Sequence, residues 1–189
     1  MELGKIATVG FTAVIVIVGL IVGVSFFAFQ TSGNNTDSHL TEITTDRDLL
    51  ELGLQVPDNW SFAMSDGTTL NLDDLNGQII LVNLMATWCS ACITQNANLQ
   101  TVYESLSGSL VIISLSVDVS ETAAMLDDYK TTKGLPWDHG LDSNSVFASY
   151  FSVTNIPSMI LIDGDGYFRF YHIGIWSASS ISDRVGSIM

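Results

Sequence analysis

Basic residues are scarce in this chain of 189 residues, which has 6 Lys and Arg against 20 Asp and Glu and a formal net charge of −14. Proteins that bind nucleic acid place clusters of Lys and Arg against the phosphates. The composition therefore predicts no nucleic-acid partner. Acidic residues instead keep a domain soluble and can steer it towards basic surfaces.

Cysteine and histidine are scarce as well. With only two cysteines, Cys89 and Cys92, the chain has no framework of structural disulfides. The three histidines are scattered along the chain, at His39, His139 and His172. They form no ligand-spaced zinc motif, and Ile93 stands where a covalent haem motif would need His. We therefore predict no metal and no cofactor.

Charge is absent from residues 6–29, which form a run of apolar and small residues. As a helix, this run would be about 36 Å long, enough to cross a hydrocarbon core of about 30 Å. A cleaved signal peptide is the alternative, but its apolar region is usually shorter, and no A-x-A-like cleavage site follows the run. We predict a single uncleaved transmembrane anchor. Because Lys5 precedes the run and acidic residues follow it, the N-terminus is expected in the cytoplasm and the rest outside.

The remainder divides into a polar linker at residues 30–46 and a folded domain at residues 47–189. Apolar runs and turn signals predict strands at residues 60–64, 68–72, 78–85, 110–117, 158–162 and 167–173. Helical patterns are found at residues 93–106, 121–132, 145–151 and 177–188, with a short helical turn expected within residues 46–54. This alternation predicts an α/β fold.

The two cysteines are separated by two residues, in Trp88-Cys89-Ser90-Ala91-Cys92. Two cysteines placed at random in a chain of this length would show this spacing in about 1% of cases, so the motif indicates a function. It follows a predicted strand and precedes a predicted helix. A helix N-terminus stabilises a thiolate, and a dithiol on the first helical turn can close into a disulfide. The pattern therefore predicts redox chemistry.

The segment Val-Asn-Leu-Met-Ala-Thr-Trp-Cys-Ser-Ala-Cys at residues 82–92 resembles the active-site segment of thioredoxin-like proteins. It is most similar to the membrane-anchored TlpA/ResA-like thiol-disulfide oxidoreductases, whose motif is V-N-F-W-A-T-W-C-x-x-C. Further blocks match that group in the same order: a hairpin within residues 57–77, the strand end at residues 117–118, a proline loop at residues 153–158 and a hairpin at residues 161–166. The resemblance extends from about residue 53 to the C-terminus.

The resemblance implies a thioredoxin-like α/β fold, with a central mixed sheet flanked by helices and an N-terminal β-hairpin extension. Cys89 would be the attacking thiolate and Cys92 the resolving thiol. Trp88 would shield one side of the dithiol. Ile156 and Pro157 would form a cis-proline loop that packs against the dithiol and pairs with the substrate chain.

The function that the resemblance implies is thiol-disulfide exchange with exported proteins that contain cysteine, apocytochrome c among them. A membrane electron carrier would restore the dithiol. We expect the protein to act as a reductant, because Ile156 before the proline resembles thioredoxin and Ser90-Ala91 lacks the Pro-His of strong oxidants.

Three positions depart from the related proteins. Asn83 stands where thioredoxins have a buried aspartate, Gln95 where many relatives have a glutamate, and Ser114 where thioredoxins have a lysine. Asn83 and Gln95 cannot titrate. The sequence therefore does not identify the group that would replace the buried carboxylate.

Two alternatives remain. A peroxiredoxin would need Pro-x-x-x-Thr-x-x-Cys, whereas Thr87 lies only two residues before Cys89. The second alternative is a redox-inert or metal-handling binding module on the same fold. Related copper carriers, however, use C-x-x-x-C, which is a different spacing from the C-x-x-C of this chain. Loss of disulfide exchange on replacing Cys89 would distinguish the enzyme from such a module.

Overall fold

The computed structural model describes residues 46–48, 55–57 and 59–189. The predicted anchor at residues 6–29 lies outside the described residues, as does the predicted linker at residues 30–46 apart from Asp46. Both stay predictions. Among the described residues, no helix is both long enough and apolar enough to span a membrane.

The described chain forms eight strands and four α-helices. The strands are β1 (Asp46–Asp48), β2 (Ser61–Met64), β3 (Thr69–Asn71), β4 (Ile80–Met85), β5 (Val111–Ser116), β6 (Asp138–Leu141), β7 (Ser158–Ile162) and β8 (Phe168–Ile173). The helices are α1 (Ser90–Leu106), α2 (Ala123–Lys133), α3 (Val146–Tyr150) and α4 (Ala178–Gly186). A short 3₁₀ helix at Leu72–Leu75 follows β3.

All eight strands belong to one mixed sheet, in the order β1-β8-β7-β4-β5-β6-β2-β3. β5 pairs in parallel with β4 and with β6, while the remaining pairs are antiparallel. β2 and β3 form the predicted hairpin and join the sheet beside β6. The expected thioredoxin-like α/β fold, with a central mixed sheet and flanking helices, is confirmed.

The central strand β4 is buried along its whole length. On one face, Leu81 packs in the same core cluster as Leu99 of α1. On the other face, Val82 and Leu84 pack in a second cluster with Phe147 of α3. A strand covered on both faces has a continuous apolar run instead of alternation, which is why the sequence identified β4 so readily.

The structure corrects the sequence prediction at two places. Residues 46–48, expected within a helical turn, form β1, because the edge of β8 offers backbone partners from Phe170 to His172. The strand β6 was not predicted, because Asp138-His139-Gly140-Leu141 has no apolar run. Pairing with β5 on one side and β2 on the other makes it a strand. Its glycine is needed there, since a Cβ on Gly140 would lie 2.7 Å from the sulfur of Met64.

A set of buried polar side chains lies on β4, β5 and β6. The Asn83 amide and the Trp137 indole N–H both donate to the Ser114 hydroxyl, at 3.0 and 2.9 Å. His139 Nδ1 lies 3.0 Å from the Trp137 carbonyl, which can only accept, so Nδ1 carries the proton. Its Nε2 has no hydrogen-bond partner among the described residues. Burial lowers the pKa of His139 to about 4, because a charged imidazolium would lose its hydration.

The buried neutral His139 predicts a loss of stability in acid. Its pKa of about 4 lies below the unfolded value of 6.5, so the unfolded chain takes up a proton first as the pH falls. We expect His139 to lower the free energy of unfolding by on the order of 3 kcal/mol between pH 6.5 and pH 4. Urea unfolding of wild type and His139→Gln across this range measures the effect. Equal pH dependence in both proteins would contradict it.

Candidate active site

Cys89 lies where the central strand gives way to a helix. β4 ends at Met85, and after a three-residue turn Cys89 is the N-cap of α1, with its Sγ 3.1 Å from the Cys92 backbone nitrogen. The backbone N–H of Ile93 also points back, donating to the Cys89 carbonyl at 3.2 Å. The Cys92 N–H and the helix dipole place partial positive charge beside the sulfur, which favours a thiolate.

Cys89 and Cys92 are joined by a disulfide, with Cα atoms 5.2 Å apart. The two sulfurs differ in access. Cys92 is fully buried, whereas 6% of the surface of Cys89 is accessible to solvent. A substrate thiol or disulfide can therefore reach Cys89, while Cys92 is placed to attack only the neighbouring sulfur.

The proline loop lies against this disulfide. The peptide bond between Ile156 and Pro157 is cis, and the carbonyl oxygen of Ile156 is 3.9 Å from Cys89 Sγ. Pro157 is buried, and its carbonyl accepts a hydrogen bond from the Gly174 N–H at 2.8 Å. The structure thus brings Cys89, Cys92, Ile156 and Pro157 into one site, as the resemblance implies.

Trp88 is the exposed member of the predicted site, with 68% of its surface accessible. Its indole N–H donates to Asp118 Oδ2 at 2.7 Å, and the other Asp118 oxygen accepts from the Ser120 amide and hydroxyl. Hydrogen bonds from Ser120 and then from Trp88 hold the pKa of Asp118 below its usual range. Asp118 is therefore an anion that fixes the ring of Trp88 beside the disulfide.

A groove of about 590 Å³ adjoins the disulfide on the Trp88 side. Its walls include Trp88, Asp118, Val153, Thr154 and Ile156. Larger cavities of about 630 and 930 Å³ lie around the hairpin at residues 163–165, and neither includes a cysteine or the proline loop. Cavity size alone would therefore point away from the redox site.

The positions expected to carry a buried carboxylate hold neutral amides engaged in other contacts. Asn83 donates to Ser114, and Gln95 accepts a hydrogen bond from the Trp176 N–H at 2.7 Å. Both side chains are fully buried. They hold elements together beneath the disulfide and have no proton to give up or accept near neutral pH.

A buried carboxylate does lie beside the site, at Glu121, which the sequence assigned only to the start of a helix. It accepts hydrogen bonds from the backbone N–H and the hydroxyl of Thr87, two residues before Cys89. The spacing of 34 residues between the partners leaves no local signal in the sequence. Asp118 was likewise missed as a site residue, although it lies two residues after β5, where the strand ends beside β4.

Comparison with known proteins identifies the relatives of this chain. The model of the AhpC/TSA family matches residues 52–170. The chain is 25% identical over 121 residues to the thiol-disulfide oxidoreductase ResA of Bacillus anthracis, covering 64% of this chain and 69% of that protein. It is 29% identical over 112 residues to the thiol:disulfide interchange protein DsbE of Tatumella citrea, covering 59% and 58%.

Solved structures show the same fold. A secreted thiol-disulfide isomerase from Corynebacterium glutamicum superposes with a TM-score of 0.70 at 18% identity, covering 79% of this chain and 95% of its own. StoA from Bacillus subtilis gives a TM-score of 0.59 at 20% identity, covering 69% and 98%. The chain therefore belongs to the AhpC/TSA family, and it is a thioredoxin-like protein of the TlpA/ResA-like type.

Proposed function

We propose that this thiol-disulfide oxidoreductase works outside the cytoplasm, anchored to the membrane, and reduces disulfides in exported proteins. The observation that carries the exchange chemistry is the unequal access of the two sulfurs, while the location rests on the apolar run at residues 6–29 and the direction on Ser90-Ala91 and on Ile156 before the proline. Cys89 reaches the surface at a helix N-terminus beside the carbonyl of Ile156, and Cys92 is buried directly behind it. This is the arrangement that a two-step exchange requires.

The exchange balances as a two-electron reaction. The Cys89 thiolate attacks one sulfur of a substrate disulfide, forming a mixed disulfide and releasing the other substrate sulfur as a thiolate. Cys92 then loses its proton and attacks Cys89 Sγ, forming the internal disulfide and releasing the second substrate thiolate. The substrate gains two electrons and the enzyme dithiol loses two. A membrane electron carrier would return the enzyme to the dithiol.

The groove beside Trp88 supports a polypeptide substrate. It extends from Trp88, the neighbour of Cys89, along residues 152–156, so a chain whose cysteine reaches Cys89 has room for the side chains that flank it. Asp118 is the one charged side chain among the described residues lining it. The relatives named as ResA and as an interchange protein support the same class of substrate, and we include apocytochrome c within it.

The alternatives have less support. In a peroxiredoxin a threonine hydroxyl would face the reactive sulfur, whereas the Thr87 hydroxyl donates to Glu121 at 2.6 Å. For the metal-handling module, the part of the chain that the structure describes has no group of three or more metal-binding side chains. Neither alternative explains why the second cysteine is buried behind the first.

Replacing each cysteine in turn should have a different effect on the exchange reaction. We expect Cys89→Ser to lose disulfide exchange, because the accessible nucleophile is gone. Cys92→Ser should accumulate a mixed disulfide between Cys89 and the substrate, since the resolving thiol is missing. Insulin reduction and non-reducing mass spectrometry measure the two effects. Retention of activity in Cys89→Ser would refute an oxidoreductase that works through this site.

The direction of the reaction can be read from the reduction potential of the cysteine pair. For a reductant we expect a value near that of thioredoxin, about −270 mV, measured in glutathione or dithiothreitol redox buffers. A value near about −120 mV would mark a disulfide donor and would contradict the proposed direction while leaving the exchange chemistry in place.

The proposed location can be tested on the full chain in intact cells. Cys92→Ser leaves one cysteine, Cys89, which a membrane-impermeant maleimide can reach only if the domain lies outside the cytoplasm. We expect labelling before lysis, after mild reduction. As a control, Cys89→Ser/Cys92→Ser should take up no label. Labelling that appears only after lysis would place the domain inside.

A further inference from the structure

Glu121 is a buried carboxylate that the exchange steps above do not use. It lies between β5 and α2 with 6% of its surface exposed. Its Oε1 accepts from the Thr87 N–H at 2.8 Å and from the Thr87 hydroxyl at 2.6 Å, and its Oε2 accepts from the Ser116 hydroxyl at 2.5 Å. Three donors converge on an acceptor-only group, which is what an ionised carboxylate requires when it is buried.

The carboxylate is close to the reactive sulfur through a short piece of chain. Thr87 is two residues before Cys89, and consecutive Cα atoms are about 3.8 Å apart, so Glu121 lies at most about 12 Å from the Cys89 backbone. Ala86 is buried beneath this turn, and its carbonyl accepts from the Cys89 N–H at 3.1 Å. Glu121 and Cys89 each keep only 6% of their surface exposed, and buried charges are screened by salt much less than surface charges.

We propose that Glu121 is a positioning residue of the redox site: it holds the turn that carries Cys89 through the Thr87 backbone N–H, and its negative charge disfavours the Cys89 thiolate. The proposal rests on the function proposed above. The helix N-terminus favours the thiolate, whereas a nearby negative charge opposes it. A thiolate that is less stabilised leaves the dithiol more reducing, as suits a reductant.

Three other titratable groups lie close to this carboxylate and turn. One is the buried Asp142, whose backbone N–H donates to the Ser116 carbonyl and whose carboxylate accepts from the N–H groups of Phe147 and Ala148 in α3. Tyr129 of α2 remains neutral near pH 7, because burial and the charge of Glu121 raise its pKa. Asp118 is a second anion, but it is only half-buried on the Trp88 side, where water reaches its carboxylate and screens its charge. Glu121 is thus the buried negative charge nearest the turn among the groups that the structure places around it.

The test is Glu121→Gln in the full chain. The glutamine oxygen can accept both bonds from Thr87, and its NH₂ can donate to the Ser116 hydroxyl, so the turn is kept while the charge is removed. We expect the pKa of the Cys89 thiol to fall by about half a unit to one unit. The pH dependence of Cys89 alkylation by iodoacetamide measures it. The equilibrium with glutathione should shift towards the dithiol by about two- to threefold.

Glu104→Gln is the matched control. It makes the same charge change on α1, about 22 Å along the helix from Cys89, and should leave the pKa of the thiol unchanged. Thr87→Val keeps the charge and the backbone hydrogen bond but removes one contact, and it too should leave this pKa unchanged.

Two outcomes would overturn the proposal. One is a wild-type pKa in Glu121→Gln. The other is a shift of about half a unit or more in the pKa of the Cys89 thiol in Thr87→Val. This second test remains available even if Glu121→Gln does not fold. Either would leave the exchange reaction itself intact. Failure of the proposed function would be visible separately, as a wild-type protein that reduces no disulfide.

Discussion

The burial of β4 on both faces is the constraint on which the redox site depends. Helix α1 covers one face and the aromatic cluster around Phe147 covers the other, so the strand has no freedom to slip or tilt. Its end at Met85 therefore fixes the turn that follows and places Cys89 at the N-cap of α1. A dithiol needs sub-ångström placement to close and reopen, and a central strand provides the most rigid support in the fold.

The sequence predicted this part of the molecule well, for a physical reason. An apolar run, a C-x-x-C motif and a helical pattern follow one another within about thirty residues, so local signals define strand, nucleophile and helix together. The strand at residues 158–162 was predicted with its observed bounds for the same reason, because it too is buried along its length. The residues of β6 have no such apolar pattern, and they form a strand only because they pair with β5 and β2 in the sheet.

The polar contacts of the site were harder to predict, because each joins distant parts of the chain. Trp88 and Asp118 are 30 residues apart, and Thr87 and Glu121 are 34 apart. A carboxylate near a helix start is commonplace in sequences, so nothing distinguished Glu121 until the sheet brought the ends of β4 and β5 side by side. The resemblance identified the positions at which related proteins have a carboxylate and this chain has an amide. Only the fold shows that the carboxylate of Glu121 lies beside the site.

The hydrogen bond between Gln95 and the Trp176 N–H gives the C-terminal segment a part in the redox site. Two residues earlier, Gly174 donates to the Pro157 carbonyl. Residues 174–176 therefore contact both the helix that carries Cys92 and the loop that faces Cys89. This stretch is therefore part of the site: a protein shortened before it would lose the contacts that fix the distance between Cys89 and the loop, even with both cysteines in place.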